Sequence, residues 1–280
     1  MGVRIITDSS SDVSQERAKE WGVTVIPLKI RFREEEYEDG VTLSNRAFYE
    51  KLVETDEIPK SSQIPPYEYE SRFREAVDAG EEVVCLCLSS GVSGSYQSAQ
   101  IAAEEFGGNV HVVDTRQFCI ALYLLVQRAV QERDAGKGAA EIVEIIEAEK
   151  EKVHLISLFN TLEYLKMGGR ISNAAYMAGS MLSIKPVISI EDGLVKVLGK
   201  ARGSKNGNNM LKEYVKQCGG INFEKPLCLA YTGFSDETLQ KYIADSKELY
   251  EGHEDSLPIV TVGATIGTYA GPGAIALAFF

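Results

Sequence analysis

Residues 88–100 read Leu-Ser-Ser-Gly-Val-Ser-Gly-Ser-Tyr-Gln-Ser-Ala-Gln, five serines and two glycines between an apolar run and a helical pattern. At a strand-to-helix turn, such a stretch suits a serine nucleophile, a phosphate cradle, or a site for another anion. A well-capped turn is the structural alternative. A helix starting near Ser93 or Gly94 presents free amides and the positive end of its dipole, which favour an anion. Hydroxyls add adaptable donors, and glycine lets a ligand approach the backbone. The familiar signatures do not fit. Gly91 and Gly94 lack G-x-G-x-x-G spacing, and no Gly-Lys-Ser or Gly-Lys-Thr follows. Gly91-Val92-Ser93-Gly94 closes one residue too early for a nucleophile elbow. A hydrolase also needs a base, but His111 and His154 sit in apolar strand patterns and His253 in an acidic loop. A serine–lysine pair stays open, with no spacing to support it. Nucleophile, anion site and structural turn all remain on these residues alone. The glycine-rich segment Val262–Gly273 raises the same question, as a bulged hairpin turn or a close approach of ligand to backbone.

The elements around these loops alternate. Val3–Thr7 reads as a strand running into Asp8-Ser9-Ser10-Ser11-Asp12, followed by a helix to about Gly22 and a β-rich run over Val23–Leu28. Ser44 is placed to cap a helix carrying Ala47, Phe48 and Leu52. The turn Pro59–Pro66 precedes a helix with Tyr69, Phe73, Ala76 and Val77 on one face. The unbroken apolar run Val83–Leu88 fits a strand buried on both faces of a parallel sheet. Beyond the serine loop, Tyr96, Ala99, Ala103 and Phe106 repeat with helical period. Val110–Val113 is a strand, Phe118–Glu132 a very apolar helix, and 139–152 an acidic-faced one. The pattern defines an open α/β domain over residues 1–153 with a mostly parallel sheet, whose strand ends collect Asp8–Asp12, Ser61–Gln63 and Ser89–Ser98.

Residues 154–280 read as an α+β domain with an antiparallel sheet. Val153–Phe159 is strand-like, Asn160 and Glu163 match a capping box, and Gly168-Gly169 ends the short helix. Ile184–Ile190 and Leu194–Leu198 flank Asp192-Gly193, a strong hairpin signal. Pro226–Tyr231, Ile259–Ile266 and Ala274–Phe280 supply further strands, with a helix at about 235–250.

Composition narrows the function classes. The chain has 280 residues, 44% hydrophobic and 25% charged, as expected of a globular protein with a substantial core. With 29 basic and 41 acidic residues the net charge is −12, which argues against a nucleic-acid partner. No apolar run is long enough to span a membrane, and the N-terminus lacks the apolar core of a secretion signal, so a cytoplasmic protein without stable membrane insertion is expected. The five cysteines include Cys85-Leu86-Cys87, whose thiols share one strand face. The others lack paired ligand spacing, so reduced buried thiols are expected rather than a metal site.

Taken in order, the motifs resemble the DegV family of bacteria, known as the fatty-acid-binding subunits of a two-component fatty acid kinase. They are Asp8–Asp12, Ser61-Ser62-Gln63, Ser89–Ala99, Val113-Asp114-Thr115, Thr161–Ser172, Ile184-Lys185-Pro186, Asp192-Gly193, Ile266-Gly267-Thr268 and Gly271-Pro272-Gly273. The resemblance spans essentially the whole chain. It implies a lipid-binding protein with no catalytic residue, cofactor or metal, holding one long-chain fatty acid between two domains and presenting it to the kinase catalytic subunit, which would form the acyl phosphate. Carried over, Ser93 bonds the carboxylate, Ser61 stands where the family has threonine, and Gly94 and Ser95 supply nearby amides. Tyr269 takes the place of a family histidine. Ser62, Thr268 and Arg170 lie near the ligand, and Arg202 engages the kinase.

The implied ligand fits the composition. A carboxylate at the mouth of an apolar tunnel must be hydrogen-bonded, and hydroxyls with helix-end amides would do so without a fixed cation. At about 0.8 kcal/mol per buried methylene, a chain of roughly 16 carbons gains on the order of 10 kcal/mol before ordering costs. Phe118–Val130 and Ala175–Leu182 are candidate tunnel walls. The sequence departs from the family at Tyr269, since a phenol donates a hydrogen bond but rarely carries charge. It departs again at Gly203–Asn209, which replaces a basic stretch, and at Ala264, where proline is expected. A serine-dependent acyl-transfer enzyme and a sensor of another small anion are the alternatives.

Overall fold

The computed structural model describes residues 2–172, 176 and 184–280. Strands β1 (Gly2–Asp8), β2 (Val23–Ile26), β6 (Glu81–Cys87) and β7 (Val110–Asp114) form a parallel sheet in the order β2-β1-β6-β7. The run at β6 is buried on both faces, as expected. Its Val84 and Leu86 pack toward helix α5 (Cys119–Asp134), whereas Val83, Cys85 and Cys87 pack toward α3 (Pro66–Asp78) and α4 (Ser95–Ala103). The Cys85 and Cys87 thiols lie 3.7 Å apart on that second face, unbridged. Helix α1 (Gln15–Trp21) ends at Gly22, and α2 (Asn45–Glu54) starts at Ser44, whose hydroxyl accepts from the Ala47 amide at 3.2 Å.

A small antiparallel sheet, β4-β3-β5, joins β3 (Lys29–Phe32), β4 (Glu35–Glu38) and β5 (Lys60–Ser62). The expected turn at Pro59–Pro66 is thus partly a strand, Lys60–Ser62, because Ile30 pairs with Ser61 across the ladder.

The larger sheet contains β8 (His154–Leu158), β9 (Ile184–Glu191), β10 (Leu194–Arg202), β11 (Cys228–Tyr231), β12 (Ile259–Thr261) and β13 (Ile275–Phe279) in the order β10-β9-β8-β13-β11-β12. It is antiparallel except for the β11–β12 pair. Asp192-Gly193 forms the expected two-residue turn, with φ of 52° and 75° matching a primed turn. Helix α6 (Ala139–Glu149) covers one side of the parallel sheet with α5. Helices α8 (Gly203–Gln217) and α9 (Glu237–Asp245) cover the outer face of the larger sheet, where Leu211, Val215, Leu239 and Tyr242 meet Ile156, Leu158, Leu229 and Leu277. Among the described residues, no helix is long and apolar enough to cross a membrane.

Helix α5 sits between the two large sheets, in one core with Val3, Ile5 and Leu86 on one side and Leu155, Ala230, Ala276 and Ala278 on the other. Buried on all faces over Cys119–Val126, it is a central packing element along its first two turns. The expectation that Phe118–Val130 forms a tunnel wall holds only at its start, at Phe118 and Cys119. The other expected wall, Ala175–Leu182, lies outside the described residues apart from the isolated Tyr176.

Two local expectations are corrected. Asn160 does not cap α7 (Glu163–Met167); its amide donates to the Pro272 carbonyl at 3.1 Å, and the Thr161 hydroxyl accepts from the Glu163 amide at 3.1 Å. The glycine-rich strand expected through Ile266 stops at Thr261, and Ala264–Ala270 forms helix α10. Its cause is tertiary. Asp12 Oδ1 accepts from the Gly263 amide at 2.8 Å, while Asp39 Oδ1 and Oδ2 accept from Ala264 and Thr265 at 2.9 and 3.0 Å. Carboxylates at a helix start satisfy amides that lack intrahelical partners.

Asp8 completes this buried acidic group. Its Oδ1 accepts from the Ser10 amide and hydroxyl at 3.0 and 2.5 Å, and its Oδ2 from the Leu88 amide at 2.8 Å. Burial pushes the Asp12 carboxyl up to about 7 and the Asp8 carboxyl up to about 6, against the pull of these donors, and raises Asp39 as well. A carboxyl raised in the folded state holds a proton that the unfolded chain has released. Its stabilising effect is fully present below the unfolded value and is lost as pH rises through the folded one. For Asp12, stability should therefore grow from pH 7 toward pH 5, by at most about 1.4 kcal/mol per pH unit. Urea titrations between pH 5.5 and 8 should show this slope in the parental chain and a shallower one in Asp12→Asn, where Asp8 and Asp39 still contribute. Identical slopes would contradict the assignment.

Candidate functional site

Between the two large sheets lies a cavity of about 310 Å³. Its apolar wall comes from Leu28, Leu88, Val92, Phe118, Phe159, Leu165, Ile188, Val195, Ile266 and Ala270, and its polar wall from Ser61, Gln63, Ser93, Gly94, Thr265, Tyr269 and Arg170. A second chamber of about 40 Å³ shares Phe118, Phe159, Ile188, Ile266 and Ala270 and continues toward Ala230, Ala274 and Ala276. Two hydroxyls border that inner chamber. Ser157 Oγ donates to the Ile275 carbonyl at 2.6 Å, and Thr232 Oγ1 accepts from the Ala274 amide at 2.7 Å. Both are thereby satisfied, and the inner chamber presents mainly hydrocarbon.

The polar end is assembled from four segments. β5 brings Ser61, whose hydroxyl lies 2.5 Å from the Tyr269 phenol on α10. The loop after β6 brings Ser93, half-buried, with its Oγ 3.1 Å from Ser95 Oγ and accepting from the Ser95 amide at 3.3 Å. Gly94 stands at the start of α4, where a methyl group would overlap the Gln63 amide. The segment after α7 brings Arg170. Its guanidinium donates to the carbonyls of Gly168 at 2.7 Å and Val92 at 3.3 Å and lies 5.0 Å from the Tyr269 ring centroid, a cation–π distance. The mouth thus has a fixed cation beside its hydroxyls, a correction to the expectation of an uncharged cradle.

The remaining sequence candidates are placed less directly. Ser95 lies behind the wall: its amide donates to Ser93 Oγ, and its buried hydroxyl accepts from the Ile64 amide at 3.1 Å, tying α4 to the chain after β5. Ser62 alternates away from Ser61 and is exposed. Thr268 is buried, and its hydroxyl donates to the Ala264 carbonyl at 2.8 Å within α10. Thr265 lines the cavity in its place, because helical spacing puts residues 265, 266, 269 and 270 on that wall. Arg202, exposed at the end of β10, lies outside the cavity wall. Gln63 and Thr265 were missed as wall residues. Gln63 ends the Ser61-Ser62-Gln63 motif, and Thr265 follows once Ala264–Ala270 is a helix.

Ser93 faces another serine rather than a base. Among the described residues, no histidine borders the cavity: His111 and His154 lie in β7 and β8, and His253 stacks on Phe223 with centroids 3.9 Å apart. The arrangement is an apolar cavity whose one polar end offers two serine hydroxyls, a phenol and a guanidinium.

Such a site defines a protein that can take an amphipathic molecule with one anionic end. The chain belongs to the DegV family. The family model described as "Uncharacterised protein, DegV family" matches residues 2–280. A DegV domain-containing protein of Deinococcus radiodurans is 35% identical over 282 residues, covering 99% of this chain and 98% of that one. Among solved structures, a DegV family protein from Thermus thermophilus, described by its fatty acid binding, has a TM-score of 0.89 at 28% identity and covers 100% and 99% of the two chains. A stearic-acid-binding protein from Eubacterium ventriosum has a TM-score of 0.83 at 27% identity and covers 99% and 97%.

Gly168 packs its Cα face against the Tyr269 ring, so a methyl there would overlap the ring and lie 3.1 Å from the Tyr164 carbonyl. Gly168→Ala should displace Tyr269 from Ser61 and cost about 1–3 kcal/mol by overpacking. Urea unfolding measures that loss, and an unchanged midpoint would contradict the close packing.

Proposed function

We propose that this chain is a bacterial, cytoplasmic, non-enzymatic carrier that binds one long-chain fatty acid and presents its carboxylate to a partner kinase catalytic subunit for acyl phosphate formation. The observation that carries the lipid part is the cavity itself: hydrocarbon walls that deepen into an apolar chamber, with Ser61, Ser93, Tyr269 and Arg170 gathered at one end. A fatty acid matches it group for group. The acyl chain leaves water for the apolar wall, and the carboxylate receives donors from the hydroxyls, the phenol and the guanidinium. A buried carboxylate without such donors would carry a severe desolvation penalty, and charge-assisted hydrogen bonds from Arg170 are the strong kind. The fatty-acid-binding relatives, similar over nearly their full length, support the reading.

The kinase part rests on the family resemblance and on the exposure of Arg202 and Arg170. We assign the carboxylate contacts to Ser93, Ser61, Tyr269, Arg170 and the Gly94 amide, with the Ser95 amide holding Ser93 in place. Ser62 and Thr268 lie near the ligand without reaching it. The two domains meet near residue 153, one carrying the carboxylate loops and the other covering the acyl chain.

Mass spectrometry of ligand extracted from purified protein should find a long-chain fatty acid. Protein that is repeatedly empty, and takes up no long-chain fatty acid in titrations, would sink the reading. Ser93→Ala should weaken fatty-acid binding about 10- to 100-fold, the equivalent of one hydrogen bond to a charged group, with little change in melting temperature. Unchanged affinity would remove Ser93 from the site. Covalent labelling by a fluorophosphonate, abolished in Ser93→Ala, would instead favour an acyl-transfer enzyme.

A further inference from the structure

Ser89 is 1% exposed and is not among the cavity-lining residues, yet three segments of the cavity wall meet on it. Its amide donates to the Gln117 carbonyl at 2.9 Å, one residue before Phe118 on the wall. Its carbonyl accepts from the amides of Val92 and Ser93 at 3.2 Å each, both of them wall residues. Its hydroxyl donates to the Gly193 carbonyl at 2.7 Å and accepts from the Gly91 amide at 3.1 Å. Gly193 is the second turn residue of the β9–β10 hairpin, whose Ile188 and Val195 close the opposite side of the cavity.

The fit leaves no room for substitution. A methyl on Gly193 would overlap Ser89 Oγ, and one on Gly91 would lie 3.0 Å from both the Gly193 carbonyl and Leu194 Cδ2. The neighbouring ion pair between Arg116 and Asp192 spans 3.4 Å with Asp192 largely exposed, so it adds little to the junction. The buried hydroxyl of Ser89 is the element that holds the hairpin turn against the serine loop.

We propose that Ser89 is a positioning residue that pins the β9–β10 turn to the Ser93 loop and thereby sets how long the bound fatty acid is retained. This rests on the fatty-acid reading above. An acyl chain gripped between two walls leaves faster when those walls can separate, and the Ser89 to Gly193 hydrogen bond links the serine loop on one wall to the hairpin on the other. Removing the hydroxyl leaves the backbone bonds of Ser89 in place, so Ser93 keeps its local support while the opposite wall is released. The effect therefore falls on ligand release more than on the fold.

The test is the release of preloaded cis-parinaric acid, followed by its fluorescence after mixing with excess oleate. Ser89→Ala should release the probe about 5- to 30-fold faster, as expected for one lost buried hydrogen bond. Thr7→Ala is the control. It loses a buried hydroxyl bonded to the Leu86 carbonyl at 2.9 Å in the same parallel sheet, without a link to the hairpin, and its release rate should equal the parental one. Gly193→Ala disrupts the junction from the other side and should also speed release. The double variant should release the probe at a rate within about twofold of Gly193→Ala alone, because both changes act on one contact. Parental release rates in Ser89→Ala, or equal acceleration in Thr7→Ala, would overturn the positioning role. If Ser89→Ala does not fold, Gly193→Ala decides in the same way. A parental chain that takes up neither probe nor oleate would instead bring down the fatty-acid reading, and the positioning role with it.

Discussion

Two carboxylates removed from water, Asp12 and Asp39, hold the first amides of the short helix Ala264–Ala270. Much of the cavity depends on that contact. The helix is only seven residues long, so its own hydrogen bonds give it little independent stability. Yet it carries Thr265, Ile266, Tyr269 and Ala270 into the cavity wall. The acids come from the first 40 residues of the chain and the helix from the last 20, so the contact also joins the ends of the sequence. Gly267 lets the helix settle against Phe48 and Tyr49, where a methyl would lie 2.6 and 2.8 Å from ring carbon and phenol oxygen. Buried carboxyl groups, a missing side chain and an aromatic floor together fix one wall.

The serine loop looks redundant in sequence and is divided in structure. Ser89 reaches the hairpin turn, Ser90 bonds Asp114 at 2.5 Å, Ser93 faces the cavity, Ser95 receives the Ile64 amide, and Ser98 meets the Gln63 amide at 3.4 Å. Each hydroxyl fastens a different neighbour, and only one of the five borders the cavity. The lack of bulk has an equally specific cause: Gly91 and Gly94 are pressed against the hairpin turn and Gln63, respectively. A loop that must be touched on every side is built from small residues with hydrogen-bonding ends.

Sequence signals that are local and strong carried over well. The run Val83–Leu88 gave a strand buried on both faces, and Asp192-Gly193 a two-residue hairpin, because a continuous apolar run and a positive-φ pair have few alternative uses. The helix at 264–270 was hidden because glycine, threonine and isoleucine are weak helix formers and its cap comes from Asp12 and Asp39, more than 220 residues away. Asn160 misled for the opposite reason: its side chain suits a local cap, but the Pro272 carbonyl takes it. The long apolar helix at Cys119–Asp134 advertised burial correctly without saying against what, and its partner is the second sheet more than the cavity. At the site, Ser61, Ser93 and Tyr269 were legible as motif residues. The placement of Arg170 over Tyr269 depends on how the turn after Met167 folds back, which no local pattern encodes.

Strand β10 closes the larger sheet on the side next to the cavity, nine residues long and, among the described residues, at the edge of the sheet order. A bare edge of that length is a template for pairing with another chain. Here the strand carries Lys196, Lys200 and Arg202 on exposed positions, and its register with β9 slips between Val197 and Gly199, a bulge that breaks the repeat. Like charges on two such edges repel, and a bulge misaligns the rows of amides and carbonyls that would have to match. The same strand that helps enclose an oily interior is thereby poorly suited to pair with its counterpart on a second copy of the chain.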